Sequence, residues 1–120
     1  DKKHRILLLR GYIRMAGLVE DPTEMCIAAI KLAEGSRDKK QVLSALGQAG
    51  SFKAFNLAAG YLDDKETFEE AAMAAARIGE KLRGSKDRQQ VKTVLQKIVK
   101  ATKNRSTKKM AEKTIRGIKK

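Results

Sequence analysis

Four groups of side chains could carry chemistry: the single histidine His4, the single cysteine Cys26, and the carboxylate pairs Asp63–Asp64 and Glu69–Glu70. A metal site needs several His, Cys or carboxylate ligands at set spacing. His4 stands without a second imidazole, near the start of the chain, and is expected to be a surface residue. A reactive thiol needs an electropositive, partly exposed setting. Cys26 sits among Met25, Ile27 and Ala28 and is expected to be an inert packed thiol. The carboxylate pairs would need a cleft, a defined separation and one raised pKa to act as acid and base. Asp63 and Asp64 instead precede a helix, and Glu69 and Glu70 lie in its early turns. There acids favour the positive helix end, and both glutamates are expected to be exposed. The segment GEKLRGSK (79–86) imitates a phosphate loop, but Ser85 precedes Lys86 and a helix runs in where a strand is required. No catalytic, cofactor-binding or metal-ligating residue follows from these groups, and the chain is expected not to be an enzyme.

The charge pattern is more informative. Residues 1–80 hold twelve basic and twelve acidic residues. Residues 81–120 hold fifteen basic residues against Asp87 and Glu112, so the whole net charge of +13 sits in the last third. A merely solvated face would mix both signs. At 100° per residue, Lys109, Lys113, Arg116 and Lys120 share the polar face of one helix. Lys92, Gln96, Lys100 and Lys103 share that of the helix before it. Such rows can meet phosphates or an acidic protein surface. No aromatic residue follows Phe68, so stacking on bases has no support in this part of the chain.

Positioning these rows requires helices. Pro occurs once, Trp is absent, aromatic content is 4%, and Ala, Leu, Lys, Glu, Arg, Gln and Met dominate. No run of alternating β-branched residues suggests a sheet. A lone Cys26 excludes an internal disulfide. No stretch reaches the roughly 18 apolar residues of a membrane span. The 120 residues suit one domain, residues 1–120, and the start at Asp1 suggests a piece of a longer protein.

Apolar spacing and punctuation predict seven helices. They cover about residues 3–17, 22–34, 37–49, 52–62, 65–82, 86–103 and 106–119, by the usual boundary signals. The first is apolar on most sides (Ile6, Leu7, Leu8, Leu9, Ile13, Met15), which predicts burial between neighbours. Asp21, Ser36, Ser51, Asp64 and Ser106 are the expected N-caps, with Pro22 at a first helical position. The fifth carries one inward stripe of Phe68, Ala71, Ala72, Ala75, Ile78, Gly79 and Leu82. The sixth should turn Val91, Val94, Leu95, Ile98 and Thr102 inward. The seventh should turn in Met110, Ala111, Thr114, Ile115 and Ile118. Short joints predict antiparallel helical hairpins.

A weak internal repeat links LLRGYIRMAG (8–17), VLSALGQAG (42–50), AAMAAARIG (71–79) and EKTIRGIKK (112–120), giving three hairpins and one further helix. The words LRGYIRMAGL (9–18), KKQVLSALGQAGSFKAFNLAAGYLDD (39–64), EEAAMAAARIGEKL (69–82) and KKMAEKTIRGIKK (108–120) resemble a HEAT-like helical repeat domain. They are similar to the repeat modules of bacterial multidomain proteins, where such modules accompany sugar-acting or haem- and quinone-associated domains. The resemblance implies an all-α fold, an α-α superhelix of about three antiparallel hairpins plus a terminal helix. It also implies a scaffolding role and an exported, periplasmic or secreted setting. It implies no catalytic residue, and the basic last third is not part of that pattern.

The expected function is a non-catalytic scaffold that meets a protein, or a companion domain of its own chain, on a curved surface of the second helix of each hairpin. Lys92, Lys100 and Lys103 are candidates for that surface, with Lys53 and Asn56 beside them. The alternative is electrostatic binding of nucleic acid through Lys109, Lys113, Arg116 and Lys120.

Overall fold

Helix-forming composition, short capped joints and 3/4 apolar spacing yield an all-α chain. The computed structural model describes residues 2–118, so Lys120 lies outside the described residues. The helices are α1 (Lys2–Ala16), α2 (Thr23–Leu32), α3 (Ser36–Leu46), α4 (Phe52–Ala59), α5 (Phe68–Lys81), α6 (Arg88–Ala101) and α7 (Arg105–Gly117). They pack into a body of 49 × 28 × 19 Å.

The odd-numbered helices touch in chain order, α1 to α3, α3 to α5 and α5 to α7. Helix α1 packs on α2, α4 on α5, and α6 on α7. Helix α5 therefore has neighbours in α3, α4, α6 and α7. Its composition makes that possible. Ala71, Ala72, Ala74, Ala75 and Ala76 are buried, as are Ile78 and Gly79. Small side chains let several helices approach one axis. A Cβ on Gly79 would lie 3.1 Å from Val91 Cγ1 and 3.3 Å from Leu95 Cδ1, so the glycine sets the closeness of α5 to α6. The core is completed by Val42, Leu43, Leu46, Phe55, Val91, Leu95 and Ile98, all essentially inaccessible. Each such Leu, Ile or Phe contributes about 1.5–3 kcal/mol through burial.

The inward stripes of α5, α6 and α7 are those expected from spacing, except at Thr102. That residue follows α6 as an extended, half-buried cap. Helix α1 departs from expectation. Leu9 and Ala16 are buried, but Leu7 is 67% exposed and Leu8 and Met15 are also open to solvent. Leu18, just beyond, is 81% exposed. The reason is position: α1 lies at one end of the row of odd helices, so α2 and α3 cover one side of it and leave the other.

Several boundaries differ from the spacing as well. Asp21 Oδ1 accepts from Thr23 N–H at 3.1 Å, but the N-cap of α2 is Pro22, which makes no side-chain cap bond, and the helix begins at Thr23. Ser51 caps α4 through Ala54 N–H at 3.1 Å. Ser36 is the first residue of α3 and makes no cap bond. Helix α5 starts three residues later than its acids suggest. Asp64 Oδ1 takes Glu66 N–H, and buried Thr67 donates its hydroxyl to Tyr61 O at 3.0 Å, so residues 64–67 form a turn. Helix α7 is capped by Asn104, which accepts from Thr107 N–H at 3.1 Å, and not by Ser106. Helix α6 ends at Ala101, which places Lys103 in the α6–α7 joint and off the helix.

Candidate binding surfaces

The isolated chemical groups behave as packing and capping elements. His4 is exposed. Cys26 is buried, with its thiol 3.9 Å from Val42 O, and burial pushes that thiol up to about 11. Asp21 is held below the usual carboxylate range by the hydroxyl and N–H of Thr23. Among the described residues, no group of three or more His, Cys, Asp or Glu side chains could hold a metal ion. No described helix is long and apolar enough to cross a membrane.

Glu69 is less exposed than its place in the early turns of a helix suggests. It is half-buried, its carboxylate accepting from Thr102 Oγ1 and from Lys103 N–H at 2.9 Å. The glutamate of α5 thus grips the joint that starts α7. Glu70 is half-buried too. The sequence signal for this role is the polar Thr102 directly after an amphipathic helix, a position where a side chain or carboxylate must satisfy loose backbone groups.

The exposed lysines are carried by α6 and α7, which pack on each other. On α6, Val91, Leu95 and Ile98 point inward. Lys100 is therefore turned outward and exposed, while Lys92, on the flank, is half-buried. On α7, Thr107, Ala111 and Thr114 point inward, so Lys109, Lys113 and Arg116 are exposed. Lys103 is exposed in the joint, and Arg105 and Lys108 are exposed in the first turns of α7. None of these cations makes an ion pair with a described carboxylate. The described ion pairs lie in the first half of the chain. Arg5 sits 3.2 Å from Glu34 and 3.4 Å from Asp38, and Lys53 sits 2.9 Å from Glu24. Lys53 is thereby engaged, whereas Asn56 is exposed.

A second basic surface was not visible in the charge count. Arg10 and Arg14 of α1 border a depression of ≈ 590 Å³ whose other side is Gln41, Ser44 and Gln48 of α3. Across α3 lies a depression of ≈ 580 Å³, lined by Gly47 and Gln48 on one side and by Arg77, Glu80, Lys81 and Arg83 on the other. Gln48 belongs to both, so α3 forms a neutral polar ridge between two basic borders. The signal was present in the spacing. Arg10 and Arg14, Arg77 and Lys81, and Gln41 and Ser44 are i, i+4 or i, i+3 neighbours, each pair sharing a helix face.

Lys81 of α5 is held by the end of a neighbouring helix. The Lys81 ammonium donates to Gln48 O at 2.6 Å and Ala49 O at 3.2 Å, closing the C-terminal end of α3. Its stem passes over Gly50, and a Cβ there would lie 3.3 Å from Lys81 Cδ. Arg77 Cδ stands in the same relation to Gly47 at 3.3 Å, and Arg83 Cδ to Gly117 at 3.6 Å.

No family model, curated protein or solved structure matches the chain.

Proposed function

We propose that this chain is a non-catalytic interaction module, a HEAT-like stack of three helical hairpins and a closing helix, which docks on an acidic protein or companion domain. The succession of touching odd helices supports the stacked reading. One observation carries the function: Lys100, Lys103, Lys109, Lys113 and Arg116, on two touching helices and the joint between them, are exposed and make no ion pair with a described carboxylate. Self-repulsion among unpaired like charges destabilises the isolated fold, and an acidic partner relieves it. A bacterial, multidomain parent is part of the same reading and rests on the repeat words alone.

Nucleic acid is the second reading for this face, favoured by the same lack of carboxylates. Polyglutamate, duplex DNA and duplex RNA, each labelled and titrated by fluorescence anisotropy at several salt concentrations, separate the two. The expected result is binding of polyglutamate that falls when Lys100, Lys103, Lys109, Lys113 and Arg116 are all changed to Gln. Polyglutamate affinity unchanged in that variant would remove the docking reading.

A further inference from the structure

We infer that Glu69 of α5 is a positioning residue for the docking surface, holding the α6–α7 joint so that Lys100, Lys103 and the cations of α7 keep one arrangement. The inference rests on the docking reading above and names what fixes that surface.

The joint is residues 102–104, between the end of α6 at Ala101 and the start of α7 at Arg105. Its backbone is extended at Thr102 and Asn104. Thr102 N–H still bonds back to Ile98 O, at 2.8 Å. The next two N–H groups have left the helix and need other acceptors. A hydrogen-bond relay supplies them. Glu69 Oε1 accepts the Thr102 hydroxyl, and Glu69 Oε2 accepts Lys103 N–H at 2.9 Å. The same Thr102 Oγ1 accepts Asn104 N–H at 3.1 Å. Asn104 Oδ1 in turn accepts Thr107 N–H at 3.1 Å and starts α7. A line of bonds therefore runs from α5 through the joint into the first turn of α7.

The residue types suit this work. A hydroxyl donates one bond and accepts another at once, and an ionised carboxylate offers two acceptor oxygens and no donor. Bonds to the charged acceptor are the stronger kind. A carboxylate near many cations would ordinarily be counted as their neutraliser. The described partners of Glu69 are instead a hydroxyl and a backbone N–H. Lys103 is the candidate cation that lies outside a helix, and its own N–H is one of the bonds that Glu69 accepts. Lys100 lies two residues before Thr102, and Lys109, Lys113 and Arg116 follow the turn that Asn104 starts. A joint released from α5 would have to be ordered again on binding, and ordering a loop or a long side chain weakens affinity.

Positioning and simple electrostatics predict opposite signs. Removing a negative charge beside a site for an acidic partner strengthens long-range attraction. Removing a positioning group weakens binding. Glu70 supplies the comparison within the molecule: it is the next residue, carries the same charge and is also half-buried, and it makes no described bond to the joint.

The test titrates labelled polyglutamate with the 120-residue chain and four variants, Glu69→Gln, Glu70→Gln, Thr102→Val and Thr102→Ser, by fluorescence anisotropy at one salt concentration. Circular dichroism checks that each is folded at the temperature of measurement. Glu69→Gln keeps the size of the side chain but leaves one acceptor oxygen for two donors. It should bind about three- to tenfold more weakly, and Thr102→Val likewise. Thr102→Ser keeps the hydroxyl and should stay within about twofold of the unaltered chain, whereas Glu70→Gln should bind as tightly or more tightly. A folded Glu69→Gln that binds as tightly as the unaltered chain, or tighter, overturns the inference. So does an equal loss from Glu70→Gln, or a folded Thr102→Val that binds like the unaltered chain, whatever Glu69→Gln does to the fold. Failure of the docking reading shows elsewhere, as polyglutamate affinity unchanged when the five cations become Gln, and would take this inference with it. Affinity that falls in that variant but not in Glu69→Gln overturns the positioning role alone.

Discussion

Helices α1 and α7 occupy the two ends of the row of odd helices, and they end it differently. Helix α7 turns Thr107, Ala111 and Thr114 inward and presents Lys109, Lys113 and Arg116 to solvent. It is amphipathic and one-sided, with a polar outer face. Helix α1 buries Leu9 and Ala16 but leaves Leu7, Leu8 and Met15 open. Its apolar content is enough for two covered faces, and the topology covers one. The lesson is that periodicity states what a helix can bury, whereas its place in the stack states what it does bury. Scattered exposed leucines are ordinary on protein surfaces. Four of these residues on one helix and its exit are a patch.

Three variants sharpen the contrast. The largest effect is expected from Leu9→Ala, on the covered side of α1. Removing a buried leucine should cost about 2–5 kcal/mol in chemical denaturation. An effect below about 1 kcal/mol would mean that α1 is not held by this face. Next comes Glu69→Ala, at the other end. It removes the acceptor of Thr102 Oγ1 and Lys103 N–H, and hydrogen bonds to a charged group are worth about 1.5–3 kcal/mol. Because Glu69 is half-buried and partly solvated, a loss nearer 1 kcal/mol is expected, with faster amide exchange at Lys103. Unchanged exchange at Lys103 would show that the joint holds without Glu69. The smallest effect belongs to the open side of α1. The double change Leu7→Gln and Leu18→Gln should leave stability within about 0.5 kcal/mol. A loss of several kcal/mol would show that these side chains are covered after all, and that the two ends are more alike than the packing indicates.

The helices were legible because their apolar stripes are regular. Ala71, Ala72, Ala75, Ile78, Gly79 and Leu82 turn inward at 3/4 spacing. Boundaries were less legible because capping depends on which polar side chain reaches a free N–H. Asn104 and Ser106 both suit α7 by composition, and only the backbone path decides for Asn104. The start of α5 was misplaced because Thr67 looks like any helical threonine until its hydroxyl finds Tyr61 O. The lysine face was easy to see because its residues are consecutive and share a sign. The arginine surface was hidden by the same count. Arg10 and Arg77 are 67 positions apart in the numbering, and the acids between them cancel their charge in any sum along the chain. Bringing them to one face requires α1, α3 and α5 side by side, which is tertiary information.

The alanines of α5 have a consequence beyond close packing. An alanine side chain has no rotamers to freeze, whereas a leucine or methionine gives up a sizeable entropy when it is fixed. Alanine also has the highest helix propensity of any residue. A helix packed against four others is thus one whose ordering costs the chain little, and its neighbours assemble around an element that loses little freedom by being surrounded.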